Sequence, residues 1–228
     1  MARLTDITYY PVKGCAGVTV TESAVTPAGL VDDRGYAIVD EKGDVRWQGE
    51  DPRMALVAPE LLDGELTLRA PGHAPVRAGH DDVDAWLTHV LGRPSRLVRP
   101  SAGPPARLHV VSTATLAALN AKLAERGAGP LPMNRFRPNL VVDGWDTPHT
   151  EDEAPTLTVA GAELAFAERT VRCAVTMVDQ ETGRKAGPEP LRTLAGYRRA
   201  EGGVVFGAYF TVLRPGKLSV GDEVRVGP

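Results

Sequence analysis

Along most of this chain apolar and polar residues alternate in short bursts, and glycine or proline cuts each burst before it reaches helical length. Period-two runs rich in Val, Ile, Thr and aromatic residues predict strands. They fall at Leu4–Val12, Val18–Val25, Asp33–Asp40, Leu108–Val111, Leu140–Val142 and Val171–Val178, and at the C-terminal end at Val204–Leu213, Lys217–Val220 and Glu223–Val226. Shorter strand-like pieces are Leu56-Val57, Glu65–Arg69 and Val76-Arg77. Leu157–Val159 and Glu163–Ala167 predict a hairpin about Ala160-Gly161, and Thr26–Gly29, Lys42-Gly43, Pro215-Gly216 and Gly221-Asp222 read as turns.

Helical patterns are fewer. Asp81–Leu91 places Val83, Trp86, Leu87, Val90 and Leu91 on one face, with Asp81 or Asp82 as the cap, Gly92 as the stop and Pro94 just beyond. From Ser112 to about Arg126, Leu116, Leu119 and Leu123 point inward, and Ser112 or Thr113 is the natural N-cap. A short helix is expected from about Glu189 to Tyr197, and the acidic stretch Thr147–Glu153 reads as an exposed loop. Arg99–Ala106, RPSAGPPA, is the most linker-like stretch and predicts two domains, 1–98 and 99–228. The pattern is that of a mainly β protein, α+β in detail, with a few short helices.

Composition narrows the class. At 228 residues, with 43% hydrophobic and 24% charged residues, the chain has the make-up of a soluble globular protein. A net charge of −3 and 5% aromatics argue against nucleic acid as a partner. No apolar run has the length of a membrane span, and the start, MARLTDITYYPVKG, lacks a signal-peptide core. Two cysteines far apart do not make a disulfide framework, so a reduced, cytoplasmic protein is expected.

Candidate chemistry centres on Arg172-Cys173. A guanidinium beside a thiol favours thiolate, the form that a nucleophile or a soft-metal ligand requires. Taken alone, a free cysteine is more often a small buried hydrophobe. Anion sites are suggested at Lys13-Gly14, where a glycine turn frees backbone N–H groups near a cation, and at Arg34, which enters a strand beside Asp32 and Asp33. A solvated lysine and a surface ion pair are the plain alternatives. The Lys13 turn does not have the spacing of a Walker A loop. The helix start at Ser112 and Thr113 offers N–H groups to an anion, although capping alone explains the hydroxyls. In Pro132–Asn139, alternation along an extended chain would bring Arg135 and Arg137 to one side, around an anion.

Assembled, these segments resemble the MOSC family, in the form with an N-terminal MOSC-type β-barrel domain, whose members include amidoxime-reducing proteins and the C-terminal domain of molybdenum cofactor sulfurase. The carrying residues are Pro11–Cys15, Asp33-Arg34, Ser112 with Leu119-Asn120, Phe136–Asn139, Arg172-Cys173 with Thr176 and Val178-Asp179, Glu189–Leu191 with Thr193-Leu194 and Tyr197-Arg198, Phe206-Gly207 with Tyr209-Phe210, and Gly216 with Val220–Asp222. The resemblance implies two packed β-rich, barrel-type domains with a pterin-type molybdenum cofactor between them. It implies Cys173 as the catalytic residue and the protein's ligand to molybdenum. Lys13, Gly14, Arg34, Ser112, Thr113, Arg137, Asn139, Val171 and Arg172 would surround the cofactor, while Phe136 and Tyr209 pack the walls and Cys15 packs the interior. Gly14 and Val171 stand where amidoxime-reducing relatives often have serine, so two polar groups beside the cofactor are absent.

The implied activity is a molybdenum oxidoreductase that reduces N-hydroxylated small molecules, with electrons from a separate reductase or ferredoxin-type protein. Nothing in the chain resembles a ferredoxin cluster motif or a dinucleotide fingerprint. A second expectation is sulfur transfer or cofactor handling through a Cys173 persulfide; a third is a barrel that binds only a small anion.

Overall fold

A computed structural model describes residues 1–62, 64–100, 107–200 and 202–228. Its main feature is a mixed nine-stranded sheet. The strands run in the order Val224–Gly227, Thr156–Val159, Ala162–Val171, Gly203–Arg214, Leu108–Ser112, Leu140–Asp143, Arg3–Tyr9, Val18–Val20, and Arg199–Ala200 pairs off the side of Gly203–Arg214. The ladders form an open path whose outer parts meet at a single bridge, Arg3 to Glu223, beside the bonds Leu4 N to Asp222 O (2.9 Å) and Val224 N to Ala2 O (2.9 Å).

Leu108–Ser112 and Leu140–Asp143 pair in parallel, and the helix Thr113–Glu125 lies in the crossover between them, as a parallel pair requires. Leu108–Ser112 is buried along its whole length, His109 and Ser112 included. In Arg3–Tyr9 the buried residues are Leu4 and Ile7 instead of an i, i+2 pair, because a register shift between Leu4 and Asp6 inserts an extra residue on one side. Leu4, Ile7, Leu108, Val110, Leu140, Leu164 and Phe210 belong to the core along this sheet.

The segment from Ala37 to Val98 builds a second core. Ala37–Val39 pairs with Arg96–Val98, and Ala58–Leu62, Glu65–Ala70 and His73–Arg77 form a meander. Val12, Cys15, Ile38, Met54, Leu68 and Leu87 meet there, the last from the helix Val83–Leu91, which ends on a left-handed Gly92 as its sequence predicts. The N-terminal stretch is tied to the far end of the chain as well, since Glu22–Thr26 pairs with Gly216–Ser219.

Several expectations shift. Val18–Val25 is two strands, Val18–Val20 and Glu22–Thr26, and Leu4–Val12 ends at Tyr9. Asp33–Asp40 contracts to Ala37–Val39 because Asp32 and Arg34 take left-handed backbone angles (φ 65° and 56°). Leu56 closes a 3-10 turn, Pro52–Leu56, and does not open a strand. Beyond Val171 the chain leaves the sheet and forms a 3-10 turn, Ala174–Met177. Pro132–Asn139 is not extended either, since Met133–Phe136 is a 3-10 turn and Arg137 is left-handed (φ 54°). Thr147–Glu153 is no exposed loop: Thr150–Asp152 is a 3-10 turn with Glu151 and Asp152 buried, Asp152 paired with Arg198. The short helix is Leu191–Leu194. Most of the linker-like stretch, residues 101–106, lies outside the described residues.

Candidate functional site

Cys173 stands where the strand Ala162–Val171 has just ended, in extended backbone at the start of the turn Ala174–Met177, with an exposed thiol. Its carbonyl accepts from Thr176 N (3.1 Å) and Thr176 Oγ1 (3.0 Å), so the turn is closed by the backbone and leaves the sulfur free. Arg172, just before it, still holds the ladder through its N–H to Val204 O (2.7 Å). Its guanidinium runs inward, where Nη2 donates to Phe136 O (2.8 Å) and Nη1 lies 3.4 Å from His109 Nε2. Its Nε is buried with no partner among the described residues.

Two more guanidiniums arrive from other segments. Arg137 lies over the Tyr10 ring at 4.2 Å and donates from Nη1 to Gln180 Oε1 (3.2 Å). Arg34 lies 5.3 Å from the same ring and pairs with Asp33, whose other oxygen accepts from Tyr10 N (2.7 Å). Tyr10 is buried and donates its hydroxyl to Pro138 O (3.1 Å), which fixes the ring as a platform for both cations. Asn139 joins the parts: Oδ1 accepts from His109 N (3.1 Å) and faces Arg34 Nη1 (3.5 Å), while Nδ2 donates to Thr8 O (3.0 Å).

The electrostatics follow from this crowding. Burial, and then Arg34, push the Arg137 pKa down; for Arg172 the causes are burial and, among its neighbours, Arg137. Burial and Arg172 hold the His109 pKa well below the ordinary value, so this ring is neutral and adds no charge. Among the described residues neither Arg137 nor Arg172 has an ion-pair partner, and Asp33 answers only Arg34. Arg34, Arg137 and Arg172 are each only half-exposed or less, and a cluster of like charges partly kept from water is costly unless an anion joins it. A cleft of about 420 Å³ opens beside it, lined by Thr8, Tyr10, Gly17, Thr113, Arg137 and Gln180 among others. Gly17 has no room for a side chain, since a Cβ would lie 2.5 Å from Thr8 Cγ2 and 2.6 Å from Tyr10 Cε1.

Arg34, Arg137, Asn139, Arg172 and Cys173 thus lie in one connected region, and Thr113 shares the cleft wall with Arg137. Lys13 is exposed one residue before Gly14, whose left-handed φ of 82° makes the turn and whose carbonyl accepts from Gln48 Nε2 (3.1 Å). Ser112 is committed elsewhere. It is fully buried as the N-cap of Thr113–Glu125, accepts from Thr115 N (3.1 Å) and donates to Glu151 Oε2 (3.0 Å). Val171 is 48% exposed and apolar. Arg135 does not join Arg137: it is buried against Asp179 (3.3 Å) and Thr176 O (3.3 Å), because the 3-10 turn sends the two guanidiniums to different partners.

Tyr10, His109, Gln48 and Gln180 are parts of the site that the sequence pattern missed. Their partners lie far away in the chain, so no local signal marks them.

Arg137 lines this cleft together with Asp6, and Arg34, Arg172 and the exposed Cys173 connect to it through Tyr10, Asn139 and His109, so the fold sets cations and a soft sulfur donor in one region. A family model described as the MOSC domain matches residues 99–225, and one described as the MOSC N-terminal beta barrel domain matches residues 1–79. The chain belongs to the MOSC family. It is 30% identical to mitochondrial amidoxime reducing component 2 of Rattus norvegicus, over 98% of this chain and 83% of that protein. It is 29% identical to mitochondrial amidoxime-reducing component 1 of Homo sapiens, over 94% of this chain and 80% of that one. Molybdenum cofactor sulfurase of Solanum lycopersicum is 28% identical over 98% of this chain, which spans 35% of that longer protein.

Proposed function

We propose that this chain is a molybdenum-cofactor-dependent oxidoreductase that reduces N-hydroxylated small molecules, with Cys173 thiolate as the protein ligand to the metal. The observation that carries the reading is the exposed Cys173 thiol directly behind a half-buried Arg172 whose buried Nε lacks a partner among the described residues. The residues suit such a group: thiolate is a soft donor, and Arg34, Arg137 and Arg172 offer planar donor forks to anionic oxygens. When bound, the cofactor would supply two-electron redox chemistry that side chains lack.

The chain's own residues hold and shield. Arg137 and Arg34 would hold the anionic portion, and Arg172 sets a further cation one residue before the thiol. Thr113, whose hydroxyl donates to Asp143 Oδ1, stands in the cleft wall, and Lys13 and Gly14 would flank the site from the N-terminal turn. Electrons would come from a separate electron-transfer protein, a reading supported by the lack of a ferredoxin cluster motif or dinucleotide fingerprint in this sequence.

Protein from a host that makes the cofactor is the material for the test. Near-stoichiometric molybdenum with pterin fluorescence, and reduction of an N-hydroxylated substrate with a chemical electron donor, are expected; Cys173→Ser should lose the metal-centred activity. Absence of metal and pterin, or a Cys173→Ser variant with intact N-reduction, would overturn the reading. A second reading, sulfur transfer through a Cys173 persulfide, is favoured by the open thiol and by the sulfurase relative. It predicts cyanide-releasable sulfur that disappears in Cys173→Ser while cofactor binding stays.

A further inference from the structure

Arg135 and Arg137 flank Phe136, and they are met by two adjacent residues of another segment, Asp179 and Gln180. The two pairings differ in charge. Asp179 receives N–H bonds from Thr182 (2.9 Å) and Glu181 (3.1 Å) and a hydroxyl from Thr182 (3.0 Å). These bonds hold its carboxyl below the usual range, so the Arg135 charge is neutralised. Gln180 gives Arg137 an acceptor without a charge.

The carboxamide that does this is fully committed. Gln180 Oε1 accepts from Arg137 Nη1 (3.2 Å) and from Gln48 Nε2 (3.0 Å). Gln180 Nε2 donates to Gln48 Oε1 (3.0 Å) and to Val178 O (3.0 Å). Gln48 Nε2 spends its second hydrogen on Gly14 O (3.1 Å), and Gln48 is 1% exposed. Both N–H bonds of each amide are used, and three outside groups (Arg137, Val178 O and Gly14 O) dictate which end is oxygen. Flipping either amide would set donor against donor, so the orientation is unique. The clamp therefore ties the Lys13-Gly14 turn to Arg137 and to the segment that follows the Cys173 turn.

We propose that Gln180, braced by Gln48, is a positioning residue: a neutral acceptor that fixes the Arg137 guanidinium over Tyr10 and leaves its charge for an oxyanion, such as a phosphate group, in the adjoining cleft. The inference rests on the reading that this cleft takes an anionic group, and it adds a reason for glutamine at 180. A glutamate there would still offer Arg137 an acceptor, but would cancel its charge and set oxygen against Gln48 Oε1 and Val178 O.

The test compares Gln180→Glu with Gln180→Met in the full-length chain. Both lose the donors to Gln48 Oε1 and Val178 O; Gln180→Glu keeps an oxygen for Arg137 Nη1 and adds a negative charge, whereas Gln180→Met removes the oxygen and adds none, so a weaker Gln180→Glu reports the charge and not the lost bond. Inorganic phosphate is titrated calorimetrically into protein from a host that cannot make the cofactor. Wild type should bind phosphate in a salt-sensitive manner. Gln180→Glu should bind at least about tenfold more weakly than Gln180→Met, the equivalent of one lost charge-assisted contact. Asp179→Asn should lower the melting temperature and keep phosphate affinity within about twofold of wild type, since an arginine outside the cleft is affected. Equal phosphate affinity in Gln180→Glu and Gln180→Met, or a wild type that binds no phosphate, would overturn the proposal. Pterin content, measured separately on wild type from a cofactor-making host, judges the cofactor reading. Pterin-free wild type with charge-dependent phosphate binding would sink that reading and leave the role of Gln180 standing.

Discussion

Ser112→Ala separates a ligand-binding serine from a structural one. The hydroxyl is fully buried, caps the helix Thr113–Glu125 by accepting from Thr115 N, and donates to Glu151 Oε2. Loss of the cap costs about 1 kcal/mol. Loss of the bond to a buried carboxyl adds roughly 1.5 kcal/mol, because Glu151 is 0% exposed and water cannot replace the lost donor, although the bond from Ser112 N (3.2 Å) stays. The sum is about 2–3 kcal/mol, which urea unfolding at neutral pH resolves as a lower midpoint with an unchanged slope. Pterin content of protein from a cofactor-making host should stay at the wild-type level. Thr113→Ala, which alters the cleft wall, should do the reverse, with a small change in stability and a larger one in pterin content. A Ser112→Ala variant of wild-type stability with depleted pterin would refute the reasoning, since its hydroxyl would then belong to the ligand.

Two further outcomes follow from local geometry. Burial, then Arg198 and Arg169, push the His149 pKa down to about 4, so the unfolded chain binds this proton from about pH 6.5 while the folded chain resists it. Its contribution is fully present above pH 6.5 and is lost as the pH falls toward 4; that gap is worth roughly 3 kcal/mol at most, cut to about 1–2 kcal/mol by partial solvent contact. His149→Gln should flatten that acid limb in melting temperatures taken between pH 7 and pH 5, and parallel curves would reject the assignment. Gly207→Ala should cost about 2–4 kcal/mol in urea unfolding, from a left-handed φ of 72° and a Cβ placed 2.6 Å from His109 Nε2 and 2.7 Å from Val110 O. A loss under about 1 kcal/mol would mean that the wall behind His109 and Arg172 yields easily.

Much of the fold was legible because burial imposes a period on the chain. Gly203–Arg214, Thr156–Val159 and Leu108–Ser112 could be read from alternation and apolar runs, and Ser112 and Gly92 marked helix ends by the chemistry of capping. The adjacency of Arg172 and Cys173 was equally plain, and in the folded chain the cation turns inward while the thiol stays exposed. Periodicity reports which face of a segment is dry; it does not report what lies across from it. Arg135 and Arg137 look alike in the sequence, yet Asp179 neutralises one while Gln180 only holds the other. Thr147–Glu153 looked like solvent-facing acid until Arg198 and the Ser112 hydroxyl supplied partners for Asp152 and Glu151. The left-handed backbone at Arg34 and Arg137, which aims both guanidiniums at Tyr10, is a conformation that residue type does not announce. Strand order and the identity of cationic neighbours are set by pairings between distant segments, so the sequence alone determined that this is a β-rich chain with a cation beside a thiol. Tertiary structure decided which charges were left unanswered, because only through-space neighbours can cancel a charge.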